Sequence, residues 1–291
     1  MLERFIPALF VLIWSTGWIV AKYVVVAKAD PVTFLALRYA VAGTVIALFA
    51  LAVRAAWPKR MADWGHAMVS GVLLHAIYLG GVWWAIGAGL PAGISALIAA
   101  VQPLLTAFLA YPLLRERISR INALGIAVGF AGVVVVLAPR TAGLSLADLP
   151  AFALPIAVNL VGMLGVTLGT FYQKRHGAAG DLRAITAIQY LGALIVTLPV
   201  AAVVEPNMVI PMSWESLYAL IWSVLVLSIG AISLMLIMIR RGAVSKVASL
   251  IYLIPPTAAV QAWLMFGETL TFVQVGGMVL TALGVYLATR R

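Results

Sequence analysis

Residues 110–132 read AYPLLRERISRINALGIAVGFAG, and residues 262–284 read AWLMFGETLTFVQVGGMVLTALG. Superposed without a gap, at an offset of 262 − 110 = 152 positions, they match at Ala110/Ala262, Glu116/Glu268, Gly125/Gly277 and Gly132/Gly284. The same offset, carried outward, pairs Pro103 with Pro255, Ala96 with Ala248, Lys22 with Lys174 and Gly17 with Gly169. Glycine and alanine matches are cheap in this composition. One ungapped register that also aligns a proline, an acid and a lysine is not, so the chain reads as an internal repeat.

What repeats is hydrophobic. Of 291 residues, 64% are hydrophobic and 10% charged, and the mean hydropathy is +1.11. A soluble domain carries about 25% charged residues, so the bilayer is this chain's main solvent. Phe5–Ala21 lacks Asp, Glu, Lys and Arg, and Pro31–Val53 carries only Arg38. Trp64–Leu114 is charge-free and suits two helices broken at Gly87-Ala88-Gly89-Leu90-Pro91. Ile121–Pro139, Leu149–Gln173, Ala184–Val204, Ser216–Ile239, Val247–Gly267 and Thr269–Thr289 are charge-free as well. A helix needs about 20 residues to cross the hydrocarbon. The expectation is an all-α membrane protein of ten spans, with repeats at 1–140 and 141–291. Ala27-Lys28-Ala29 resembles a cleavage site, but the apolar run before it exceeds the usual signal-peptide core of about 7–15 residues.

With the N-terminus inside, Arg4, Arg54, Lys59, Arg60, Arg115, Arg117, Arg120, Lys174, Arg175, Arg183, Arg240, Arg241, Lys246, Arg290 and Arg291 all fall on one side. Of the 19 basic residues, only Lys28 and Arg140 fall on the other, and Lys22 and Arg38 lie within spans. Both termini are expected in the cytoplasm, with the chain in a bacterial-type inner membrane. The net charge of +10 is then loop lysine and arginine and calls for no nucleic acid. Five spans per repeat is an odd number, so the second copy enters the membrane inverted. Inverted repeats recur in secondary transporters, where one packing used twice gives two states of similar energy.

Trp14-Ser15-Thr16-Gly17, Lys22, Arg38, Pro103, Glu116, Gly125 and Gly132 form a pattern. It is echoed by Gly169, Lys174, Pro255, Glu268, Gly277 and Gly284. At these residues the chain resembles the EamA family of the drug/metabolite transporter superfamily. Within that family it looks most like the YddG branch of aromatic amino-acid exporters, which its aromatic and methionine content and His75 beside Tyr78 also fit. The resemblance implies ten helices, a central cavity between the halves and export of small metabolites.

Span three carries His75, Tyr78, Leu79 and Val82 at i, i+3, i+4 and i+7, one face of an α-helix. His and Tyr need polar partners, which favours a cavity wall over a lipid face. Trp14 and Trp18 on span one offer rings for stacking, and Asn159 and Met163 on span six share a face. Leu227 and Gly230 on span eight, with Leu234, are the repeat counterparts of the span-three stripe. Ser249 and Tyr252, near Ser245, line span nine. Lys22 is either a snorkelling lysine or a charge at the cavity mouth. Arg38 lies deeper and must find a carbonyl, a water or an acid partner; it reads as a structural tie, with substrate contact as the alternative. Pro103 and the Pro255-Pro256 pair fall mid-span, Pro103 and Pro255 at one repeat position, and are expected to hinge. Trp83 and Trp84 suit a membrane-interface belt equally well. Gly125, Gly129 and Gly132, with Gly277, Thr281 and Gly284, form small-residue seams for close helix packing, or for a dimer contact.

Equally informative is what the sequence lacks. There are no cysteines, and His66, His75 and His176 have no metal-ligand spacing. All nine acids lie at or near span ends, so no membrane-embedded carboxylate is available to carry a proton. His75 is the remaining candidate, through hydrogen bonding or titration. Gly87-Ala88-Gly89 lacks the Lys-Ser/Thr of a nucleotide loop. The expected partners are a small-molecule substrate and membrane lipid, with no cofactor and no metal, in a monomer or weak homodimer. An integral membrane enzyme acting on a lipid or lipid-linked substrate is the alternative. It would want acids, clustered histidines or a metal near the interface, and the loops are short and basic.

Overall fold

The structure, a computed structural model, describes residues 6–99, 101–102, 105–106, 109, 119–141, 149–177, 180–231, 234, 254–267 and 270–289. Pro103, Glu116, Ser245, Ser249, Tyr252 and Glu268 lie outside these, as do the side chains of Lys174, Pro255 and Pro256. The described residues are helical: α1 Ile6–Val26, α2 Pro31–Ala52, α3 Met61–Gly87, α4 Ala92–Ala99, α5 Arg120–Thr141, α6 Leu149–His176, α7 Leu182–Val204, α8 Trp214–Ala231, α9 Ile254–Phe266 and α10 Phe272–Thr289. Six of the described helices are long and apolar enough to cross a membrane, namely α1, α2, α3, α7, α8 and the Ala153–Gln173 part of α6. Ala123–Gly132 and Phe272–Gly284 are shorter apolar stretches.

The break at 87–91 forms as the sequence reading expects. Gly89 takes φ +97, open to glycine and strained for other residues, and lets the Leu90 N–H reach back to the Ala85 carbonyl at 3.0 Å.

Two helices depart from α geometry. In α3, residues Val72–Ile77 form a π-helical stretch, and in α8 residues Trp222–Ala231 do the same. Shifted by 152, residues 72–77 become 224–229, inside the second stretch. Its hydrogen bonds skip to i+5, widening the turn. Hence His75 and Tyr78 are not successive positions of one α-helical stripe, which corrects the spacing expected for span three.

Helices α2 and α7 pack together. At one end the loop before α2 meets the loop after α7: the Asp30 N–H donates to the Val209 carbonyl at 2.8 Å, and the Val209 N–H donates to Asp30 Oδ2 at 2.7 Å. At the other end the Asp181 N–H, before α7, donates to the Ala56 carbonyl, after α2, at 2.8 Å. The pair is therefore antiparallel, with an aspartate preceding each helix. Asp181 caps α7 by accepting the Arg183 N–H at 2.9 Å and pairs with the Arg183 guanidinium at 2.7 Å.

Helices α5 and α10 also pack on each other along their length. A Cβ built on Gly132 would lie 2.5 Å from the Thr281 nitrogen and 2.8 Å from the Gly277 carbonyl oxygen. One built on Gly284 would run into the Gly129 backbone and lie 2.7 Å from the Gly125 carbonyl oxygen. The two small-residue seams thus fill one another, residue for residue, within the chain. This accounts for them as seams for close helix packing.

Candidate functional site

Neighbouring faces of α2 build the polar centre. Phe34 and Arg38, four residues apart, share one face. Both lie against Trp83 of α3: the Phe34 ring stacks on the indole at 6.0 Å, and the Arg38 guanidinium carbon stands 5.9 Å from the indole centroid. Trp83 is 1% exposed, so it is a core residue and not part of an interface belt. Arg38 is 6% exposed. Its Nε and Nη2 donate to Ser228 Oγ of α8 at 3.3 and 3.1 Å, and Ser228 Oγ donates to the Ser223 carbonyl at 2.9 Å, five residues back along the π stretch. Among the described residues no carboxylate lies within ion-pair distance of Arg38.

Tyr39 and Gly43 share the next face, toward α7. The Tyr39 ring stacks on Tyr190 at 5.7 Å, and a Cβ on Gly43 would touch Tyr190 Cβ at 3.1 Å. Tyr39 Oη donates to the His75 backbone carbonyl at 3.0 Å. The His75 ring lies 4.8 Å from Tyr190 and 6.0 Å from Tyr39. One end of the π stretch of α3 is therefore held by α2 and α7 together.

The other expected contacts are spread over the helices around this centre. Asn159 of α6 is fully buried, and its Nδ2 donates to Ser95 Oγ of α4 at 2.6 Å, while Oδ1 is buried without a partner. Met163, Val82 and Leu227 are core residues, and half-buried Tyr78 and Leu79 pack against the same core. Trp18 is buried with its Nε1 unpartnered, whereas Trp14 is half-buried against Phe10, near Leu234. Gly230 lies on the π stretch of α8. Lys22 is half-buried near the end of α1.

Sequence reasoning missed two features. His66, at the start of α3, bonds Tyr172 Oη through Nδ1 at 2.8 Å, and its ring stacks on His176 at 4.9 Å. These histidines stand 110 positions apart (176 − 66), too far for any sequence-spacing argument; the fold alone unites them. Trp222 Nε1 donates to Thr16 Oγ1 at 3.0 Å, joining α8 to α1. Among the described residues no cluster of three metal-binding side chains occurs.

Apolar helices long enough to cross a membrane thus surround a buried polar-aromatic centre built on Arg38, Tyr39 and Trp83. The chain belongs to the EamA-like transporter family, which it matches twice, over residues 5–138 and 154–290. The family and the names of its relatives mark a transporter, not an enzyme. The chain is 27% identical to the uncharacterized transporter YvbV of Bacillus subtilis, over 98% of this chain and 90% of that protein. It is 27% identical to the uncharacterized inner membrane transporter YedA of Escherichia coli K12, over 96% and 91%. It is 26% identical to a probable amino-acid metabolite efflux pump of Salmonella typhimurium, over 70% and 69%. A solved crystal structure shares the fold at a TM-score of 0.67 and 21% identity, over 98% of this chain and 95% of that one.

Proposed function

We propose that this protein exports small amphipathic metabolites, amino acids including aromatic ones among them, across the inner membrane by alternating access between two inverted five-helix repeats. The observation that carries the reading is the centre around Arg38, Tyr39 and His75. There α2 and α3 meet α7 and α8, and a guanidinium, hydroxyls and aromatic rings converge inside spanning helices, with no carboxylate among the described residues in ion-pair distance of Arg38. The name of the Salmonella typhimurium relative supports the substrate class.

Four features support the inverted repeat. The family matches each half separately; the two π stretches occupy one repeat position; the α5 and α10 seams are reciprocal; and equivalent loops meet at opposite ends of the α2–α7 pair. In this reading ten spans leave both termini cytoplasmic, and Pro103, Pro255 and Pro256 are hinges. Lys22 stands at the cavity mouth, and Tyr78, Tyr252 and Ser249 face the substrate. A monomer suffices. Transport runs down the substrate gradient without obligatory proton coupling, a reading supported by the sequence, in which all nine acids fall at or near span ends, and His75 orients a polar group by hydrogen bonding.

Counterflow of labelled amino acids in proteoliposomes tests this. Saturable exchange should persist with neither a pH gradient nor a membrane potential. Absence of counterflow across a full amino-acid panel would overturn the substrate class. Uphill movement driven by an imposed proton gradient and lost in His75→Gln would make His75 the proton carrier.

A further inference from the structure

Arg38 is the one buried charge among the described residues. Holding a guanidinium in an apolar interior is costly unless it is neutralised. Two acids at the ends of the α2–α7 pair are committed elsewhere: Asp30 accepts the Val209 N–H, and Glu205 accepts the N–H groups of Val32 and Thr33. What Arg38 has instead is a single neutral oxygen, Ser228 Oγ, shared by Nε and Nη2 at 3.3 and 3.1 Å. Those nitrogens form one edge of the planar guanidinium, the edge that matches the two oxygens of a carboxylate. Charge-assisted bonds on such an edge run at about 2.7–2.9 Å. A serine hydroxyl on this edge is a weak occupant.

From this geometry we infer that Arg38 is the residue that recognises the substrate's carboxylate, and that its bond to Ser228 is an exchangeable tie between α2 and α8 which the carboxylate replaces. The inference rests on the transport reading above. Phe34 shares the Arg38 face of α2 and Trp83 of α3 lies against both, so the charged end of a substrate would sit beside an aromatic wall suited to its side chain. Because α2 belongs to the first half and α8 to the second, substitution of a free carboxylate for Ser228 removes a bond between the halves when substrate is seated. The binding event and the loosening of this contact are then one step, with no proton moved.

The test compares phenylalanine, phenylalaninamide and phenethylamine as counterflow substrates in proteoliposomes. Wild-type protein should favour phenylalanine over its amide and amine by about tenfold or more, as expected for a bond to a charged group. Arg38→Gln, which can still donate to Ser228, should reduce that preference to about one. Ser228→Ala should lower the unliganded melting temperature yet enlarge the rise produced by phenylalanine, because the competing acceptor is gone. A purely structural Arg38 would instead depress all three substrates alike. Should Arg38→Gln fail to fold, wild-type discrimination and the Ser228→Ala melting shift decide the matter. Equal transport of acid and amide by wild type, or an acid preference intact in Arg38→Gln, overturns the inference and leaves the transport reading standing. Absence of flux for every amino acid and analogue overturns both.

Discussion

Glu205 and Thr33, 172 positions apart, are joined twice: Glu205 Oε2 accepts the Thr33 backbone N–H at 2.7 Å and the Thr33 hydroxyl at 2.8 Å. Its other oxygen accepts the Val32 N–H at 3.0 Å. A carboxylate from the end of α7 thus supplies the cap that α2 lacks from its own N-cap residue, since Asp30 makes no side-chain cap bond there. Negative charge at a helix N-terminus is favourable. Glu205→Ala should cost about 1–2 kcal/mol, read as a lowered melting temperature in detergent. Glu205→Gln, which keeps one acceptor, should lose less; equal loss would assign the effect to packing.

Gly284 and Gly17 should behave in opposite ways. A methyl at Gly284 meets the Gly129 backbone, which cannot yield as a flexible side chain can, whereas nothing lies within 4 Å of a methyl at Gly17. Overpacking of this kind costs about 1–3 kcal/mol or more. Gly284→Val should lose most of its monodisperse fraction on size exclusion. Gly17→Ala should match wild type or gain slightly from helix propensity.

Tyr39→Phe keeps the ring stack on Tyr190 and removes only the bond to the His75 carbonyl. It should cost about 1 kcal/mol of stability. His75→Gln retains hydrogen-bonding capacity without titrating near neutral pH, so flux should stay within about twofold of wild type and show the same pH profile. A steep loss of flux in His75→Gln alone would contradict an orienting role.

The absence of cysteine makes single introduced thiols a clean probe of sidedness. Lys28→Cys and Met208→Cys should react with an impermeant thiol reagent from the periplasm. Arg54→Cys and Gly180→Cys should react only after permeabilisation. Tags at residues 1 and 291 should both report cytoplasm, and a tag near residue 148 periplasm. A periplasmic C-terminus would contradict the repeat.

The six long apolar helices were legible because span length is set by the bilayer, and it is a one-dimensional property of the chain. The break at Gly87–Pro91 was legible for the same reason, since turn residues act locally. The π stretches were not. Nothing in VLLHAI or WSVLVLSIGA distinguishes i+5 from i+4 bonding, which is decided by what packs alongside. Arg38 was expected to find a carbonyl, a water or an acid, and it finds the hydroxyl of Ser228, which at 190 positions away no local pattern could point to. The stack of His66 on His176 was invisible for the same reason. Asn159 and Trp18 were reached from residue type, and the structure adds that each keeps a buried polar atom without a partner.

The seam between α5 and α10 has a mechanical consequence. Where Gly132 faces Thr281 and Gly284 faces Gly129, the surfaces in contact are largely backbone. A slide of a fraction of a turn would drive the flanking valines and leucines into that backbone, so the two helices can neither slip nor part cheaply. They form an axle. In the transport reading proposed above, this pair is the part of the molecule about which the other helices would turn.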